Sequence, residues 1–152
     1  MSEHSLKDTD IFILACLQQN ARERLSEISR KLSLPITTIH NRVRKYEQKS
    51  MIKYSTLIDF KEIGYAFKAK IALKTEDKEQ LQQFLQDHPN TNSVYRVEND
   101  QGHDLLIEMI FEDKAKFNKF LTMIETEFQI KDKLVFTIVE DIKREEFLCR
   151  YS

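Results

Sequence analysis

Residues 24–48, RLSEISRKLSLPITTIHNRVRKYEQ, carry two short apolar periodicities with a tight break between them. Leu25, Ile28 and Leu32 stand at i, i+3 and i+7, which is one face of a helix. Ser33-Leu34 interrupts the pattern, and Pro35 suits the first turn of a new helix, where its missing N–H has no intrahelical partner to lose. Stepping about 100° per residue from Thr37 puts Ile39, Val43 and Tyr46 on one side. Thr37, Thr38, Asn41, Arg44, Lys45 and Gln48 fall on the other. Two one-sided helices with such a break predict a helix-turn-helix. The apolar side seals a small core. The polar side is a row of short hydrogen-bonding groups and cations, the chemistry that fits a major groove and its flanking phosphates. Double-stranded DNA is the partner this pattern implies. Thr37, Thr38 and Asn41 are the candidates for base edges, Arg44 and Lys45 for phosphate, and Arg42 lies at the margin. A helical hairpin with a merely solvated basic face is the other reading of the same residues.

Charge is distributed in keeping with the first reading. Residues 1–55 hold ten Lys/Arg against six Asp/Glu, net +4, and the remainder holds 14 against 19, net −5, which together give the overall −1. A basic front and an acidic back imply that only the front meets a polyanion. No apolar run approaches the roughly 20 residues that cross a bilayer, so no membrane partner is expected. The start, MSEHSLKDTD, has neither a basic n-region nor an apolar h-region, so no secretory leader is expected. Cys16 and Cys149 are far apart and read as reduced thiols of a cytoplasmic protein. With His4, His40, His88 and His103 they show no zinc spacing. No Gly-rich phosphate loop or Ser or Cys nucleophile signature is present, so neither catalysis nor a cofactor is expected.

Along the chain, a first helix is expected from an N-cap at Asp8, with Ile11, Leu14 and Leu17 keeping the helical spacing. After the third helix, Ile52, Tyr54, Thr56 and Ile58 alternate, predicting a strand and with it a wing. Phe60 to Tyr65, around Gly64, reads as a linker. Then come a strand (66–75), a helix (77–87) closed by His88-Pro89-Asn90, a strand (94–98), a turn at 99–103, a strand (104–111), a helix (113–127) and a strand (133–143). The order β-α-β-β-α-β is the ferredoxin-like arrangement. The fold class is thus α+β: an N-terminal winged helix-turn-helix over 1–59, a linker over 60–65, and a C-terminal ferredoxin-like βαββαβ domain over 66–152. One sheet face would be left open, and a second copy of the same sheet is its simplest cover.

Three stretches carry a family resemblance: LKDTDIFILACLQQNAR, LSEISRKLSLPITTIHNRVRKYEQKSMIKYST and DLLIEMIF. They occur in the order and at the distances of the Lrp/AsnC feast/famine transcription regulators, which the chain resembles over nearly its whole length. The resemblance implies a homodimer through the second domain, often assembled into tetramers or octamers, and amino-acid effectors bound between those domains. The family typically reads Gly-Asp-x-Asp in the loop before the third strand, where this chain has Gln101-Gly102-His103-Asp104. A Ser or Thr early in the last strand aligns with Val135. The implied effector-binding residues are Asp100, Gln101, Gly102, His103, Asp104 and Val135. Gln101 crowds the approach and Val135 removes a hydroxyl, so a weak or absent response to simple amino acids is expected. Two other functions remain open at this level. Siroheme decarboxylases share the two-domain layout and use His and Tyr in the sheet cleft. This chain has Tyr95, Arg96 and His103 there but no Trp. An architectural protein that compacts DNA without sequence preference is the third.

Overall fold

The computed structural model describes residues 6–152; His4, within the N-terminal stretch, lies outside the described residues. The first third of the chain folds as its helical periodicity requires. α1 spans Asp8–Gln19, α2 Leu25–Leu32 and α3 Ile36–Gln48. Ile13, Cys16 and Leu17 of α1 meet Ile28 of α2 and Ile39, Val43 and Tyr46 of α3 in one core, edged by Leu25, Leu32, Leu34 and Ile52. The inward stripe of α1 is therefore 13-16-17 rather than 11-14-17; Ile11 and Leu14 are only half-buried. The cap also differs from expectation. Lys7 occupies the N-cap, and Asp10, one turn in, accepts a hydrogen bond from the Lys7 amide at 3.2 Å.

α2 and α3 end alike. Ser33 and Ser50 adopt left-handed φ of 53° and 54°. The next amide reaches back to a carbonyl of the last turn in each case, Leu34 to Ser29 at 3.1 Å and Met51 to Tyr46 at 2.9 Å. This is the Schellman closure, usually made with glycine because a Cβ is strained there. At the α2 end the Ser29 hydroxyl also donates to the Leu34 carbonyl at 2.5 Å, holding the turn.

No strand forms over residues 51–59, so the expected wing is absent. The alternation is real, but a strand needs a partner to satisfy its backbone groups, and none of the described residues pairs with it. Met51, Tyr54, Leu57 and Ile58 are left exposed. A 3₁₀ turn over Phe60–Ile63 closes on Gly64 at φ 93°.

The second core is a four-stranded antiparallel sheet of order β2-β3-β1-β4, with β1 Phe67–Thr75, β2 Thr91–Arg96, β3 Leu105–Phe111 and β4 Ile130–Thr137. Helices α4 (Lys78–Asp87) and α5 (Lys114–Glu127) cover one face. Ala69, Ile71 and Leu73 with Leu105, Ile107, Met109 and Phe111 point at Leu81 and Leu85 of α4 and at Phe117, Phe120 and Ile124 of α5. The opposite face is mixed rather than apolar. Register places Lys68, Lys70, Ala72 and Lys74 of β1 beside Leu106, Glu108 and Ile110 of β3 and Leu134 and Phe136 of β4. Two of those lysines are ion-paired, Lys68 to Asp141 and Lys70 to Glu108.

The last strand lies earlier than its apolar run suggested. β4 ends at Thr137, paired with Ala69 near the start of β1, because the central strand offers little more to pair with. Val139 and Ile142 lie beyond the sheet and are exposed. The chain after Asp141 does not belong with the sheet. Residues up to Leu57 together with Ile142–Ser152 make one compact unit, and Ile58–Asp141 the other. The boundary expected for the second domain, 66–152, is thereby shortened at its C-terminal end and extended at its start.

Replacing Ser33 by Gly relieves a left-handed serine, while the greater freedom of glycine in the unfolded chain offsets part of the gain. A net stabilisation of about 0.5 kcal/mol is expected in denaturant unfolding. Lys119→Gly, in the exposed middle of α5, should instead cost about 1 kcal/mol.

Candidate nucleic-acid interface and effector loop

α3 presents the polar row that its sequence dictates. Thr37, Asn41, Arg44, Lys45 and Gln48 are exposed and Thr38 is half-buried. Among the described residues Arg44 and Lys45 have no ion-pair partner within the chain, so their charges are available to a polyanion. Ile39, Val43 and Tyr46 are buried at 0%, 6% and 3% exposure, which fixes the rotation of the helix and hence which residues face outward.

Arg42 is placed differently from its neighbours. Its guanidinium lies 2.5 Å from Asp10 Oδ1, and the Tyr46 hydroxyl donates to the same oxygen. One carboxylate of α1 thus ties two residues of α3. Burial opposes the charge on Asp10, but the hydrogen bonds from Tyr46, Arg42 and the Lys7 amide outweigh it and hold the carboxyl below its ordinary value. Tyr46 is pushed well above the usual phenol range by burial and by the Asp10 carboxylate. Arg42 is accordingly tied to α1 at the edge of the helix-turn-helix core. The role of Asp10 was not legible in its own segment, where it reads only as a helix-start acid. The signal lay in α3, in an arginine and a tyrosine spaced i and i+4.

The loop between β2 and β3 brings together Asp100, Gln101, Gly102, His103 and Asp104; the first three are exposed, His103 is buried and Asp104 half-buried. Gly102 has φ 76°, and a Cβ there would stand 3.2 Å from Lys74 Nζ. That same ammonium donates to the Gln101 carbonyl at 3.3 Å. His103 is 2% exposed. Asn99 holds it, accepting from the His103 amide at 2.9 Å and placing its own amide 2.8 Å from Nδ1. Nε2 lies 3.2 Å from Asp132 Oδ2 but is not aligned with it for a hydrogen bond.

Asp104 is fully engaged. One carboxylate oxygen accepts from the Thr75 amide at 3.0 Å, and the other meets Lys78 Nζ at 2.6 Å. Its partial burial raises the carboxyl's pKa, but Lys78 and the Thr75 amide pull it down further, to below its ordinary value. Asp100 and Gln101 are exposed. Val135 stands on β4 opposite Ile71, and the β4 residue that reaches the loop is Asp132, three positions earlier. Lys74, Lys78, Asn99 and Asp132 were not singled out in the sequence. They come from β1, from the start of α4, from the loop itself and from β4, and only the sheet register brings them together.

Among the described residues no group of His, Cys, Asp or Glu is arranged to hold a metal ion, and both cysteines are free. No helix among them is long and apolar enough to cross a membrane.

Comparison with known proteins adds an independent line. The model of the AsnC-type helix-turn-helix domain matches residues 6–47. An uncharacterised HTH-type transcriptional regulator of Pyrococcus furiosus is 32% identical over 128 residues, covering 82% of this chain and 83% of that protein. A second regulator from the same organism is 25% identical over 122 residues, 78% of this chain and 81% of its own. Among solved structures, a transcriptional regulator of Neisseria meningitidis, determined as its L-Met complex, superposes with TM-score 0.81 at 21% identity, covering 92% and 94% of the two chains. AsnC of E. coli gives 0.79 at 19% identity over 93% and 97%. At such identities the structural likeness speaks for the fold.

The Asp10 cluster has a pH signature. A carboxyl held below its ordinary value contributes stability that is fully present above the unfolded-state value, about pH 4, and is lost as pH falls through the folded-state value. Asp10→Asn should lower the stability of the helical unit near neutrality by about 1.5–3 kcal/mol and flatten its loss below pH ~4. Acid titration of unfolding for both proteins, followed by hydrogen exchange of the α1 and α3 amides, checks this.

Proposed function

Since the chain belongs to the Lrp/AsnC family of helix-turn-helix transcriptional regulators, we propose that it reads a specific duplex sequence with the exposed row of α3, as a two-fold homodimer or a tetramer or octamer built from it, in the cytoplasm. The observation that carries the reading is the division of labour on that helix. Arg42 is held by Asp10, whereas Thr37, Asn41, Arg44 and Lys45 face outward, with no ion pair to another described residue. Thr37, Thr38 and Asn41 are the residues for base edges, and Arg44 and Lys45 for phosphate. A two-fold dimer presents two such helices, so the operator would be an inverted repeat with half-sites one or more helical turns apart. The open sheet face supports the dimer: Tyr95, Leu134 and Phe136 are exposed large side chains that a second copy would cover.

The sheet-cleft enzyme reading finds less support. Its histidine, His103, is 2% exposed, with Nδ1 bonded to Asn99 and Nε2 shut off from solvent beside Asp132. Nonspecific compaction is separated from regulation by selecting bound DNA from a random pool. Lys45→Ala should weaken binding to selected and random duplexes by similar factors and reduce the salt slope by about one unit. Asn41→Ala should relax the selected sequence at a cost of about 1–3 kcal/mol. An unchanged sequence preference and affinity for the Asn41 variant would remove it from the base-reading set.

For effectors the loop chemistry is decisive. A zwitterion needs both charges matched, since burying either one unpaired costs several kcal/mol. Asp104 already has two partners, His103 is turned inward, and Lys74 covers Gly102. This loop therefore gives no free carboxylate apart from the exposed Asp100, and a thermal-shift screen of the twenty amino acids is expected to show no stabilisation. The relative solved with L-Met makes that amino acid the first to try. A hit at millimolar or tighter affinity, abolished by Asp104→Ala, would show that the loop reopens for a ligand.

A further inference from the structure

α1 is apolar nearly all round. Ile11 to Leu17 is an unbroken run of seven apolar residues, IFILACL, and a helix of that kind must be covered on more than one side. α2 and α3 cover only part of it. Ile13, Cys16 and Leu17 enter their shared core, yet Ala15 is equally buried, at 0% exposure, and lies outside that cluster. The remaining cover comes from the far end of the chain. The 3₁₀ turn Cys149–Tyr151 lies close along α1. The Leu148 amide donates to the Gln18 side-chain carbonyl at 2.7 Å, and the Ser152 hydroxyl donates to that of Gln19 at 3.0 Å. Leu148 and Cys149 are half-buried there, while Arg150 stacks over the Tyr151 ring at 4.8 Å and stiffens the turn. At its other end the segment is fastened by the ion pair of Asp141 with Lys68 of the central strand.

We infer that residues 142–152 are a strap that completes the DNA-binding unit, so that the helix-turn-helix is stable only while the C-terminal end of the same chain lies on α1. The unit is then discontinuous, built from both ends of the sequence, and the sheet unit is inserted between them with two covalent connections. Docking of the strap supports α1, α1 supplies Asp10, and Asp10 fixes Arg42 and Tyr46 of α3. Loss of the strap should therefore loosen the presentation of the DNA-reading row without touching the sheet.

Hydrogen exchange on the full chain and on a chain ending at Asp141 tests this, and its readout does not depend on DNA binding. The truncated chain should lose protection of the α1 amides by at least tenfold, lose part of that of α3, and keep that of β1 and β3. The full-length pair Gln18→Ala with Leu148→Ser, which leaves chain length intact, should give the same pattern in smaller measure. Duplex binding by the truncated chain should weaken in parallel. If α1 keeps its full protection in both variants, the strap is dispensable and the inference fails. It fails equally if the double variant loosens the sheet as much as α1.

Discussion

A single carboxylate governs how the recognition helix is presented. Asp10 sits one turn into α1, and its Oδ1 takes both the Arg42 guanidinium and the Tyr46 hydroxyl of α3. Arg42 and Tyr46 lie one turn apart on the inward side of that helix, so engaging both fixes its rotation as well as its distance from α1. The apolar contacts of Ile39 and Val43 alone would tolerate some rolling, because dispersion and burial are not directional. The charged hydrogen bonds are directional. The outward row of Thr37, Asn41, Arg44, Lys45 and Gln48 follows from that constraint, with Arg42 tied to α1.

Helices were legible wherever a period of 3.6 had one clear apolar face. Leu25, Ile28 and Leu32, Ile39, Val43 and Tyr46, and the Phe117, Phe120 and Ile124 stripe all face their cores as the pattern requires. α1 was legible as a helix but not in its facing, because seven consecutive apolar residues carry no direction. Strands were legible as alternation but not as pairing. Residues 52–58 alternate as well as any strand in the chain, yet none of the described residues pairs with them, and Tyr54, Leu57 and Ile58 stay exposed while Ile52 packs at the edge of the helical core. The apolar run at 134–142 failed in the complementary way. Pairing runs out just past Thr137, with a last bond from the Ile138 amide to the Lys68 carbonyl at 2.8 Å, because β1 begins at Phe67, and no property of residues 139–142 themselves announces that limit.

The loop shows the same division between composition and contact. Its departure from the family pattern at Gln101 and Gly102 could be read directly. What those residues meet could not, since Lys74, Lys78 and Asp132 arrive from three different elements. Gly102 has a positive φ, and the close approach of Lys74 is a second reason why a side chain is disfavoured there. Asp104 was read as an implied effector-binding residue. Its bonds to the Thr75 amide and to Lys78 give it a structural duty that any ligand would have to displace.

Folding also sharpens the electrostatic contrast seen along the chain. Residues 143–150 contribute three basic side chains, Lys143, Arg144 and Arg150, against Glu145 and Glu146, and they join the helical unit rather than the sheet. The +4 of the first 57 residues becomes +5, and residues 58–141 are left at −6. A polyanion attracts the first unit and repels the second. Salt limits the reach of this effect to a Debye length of about 8 Å at physiological ionic strength, so it biases the orientation of approach and adds little to the bound state. On the proposed reading, affinity comes from the few side chains that touch phosphate and base. The charges of Arg44 and Lys45, outward and without an ion-pair partner among the described residues, then matter more than the net charge does.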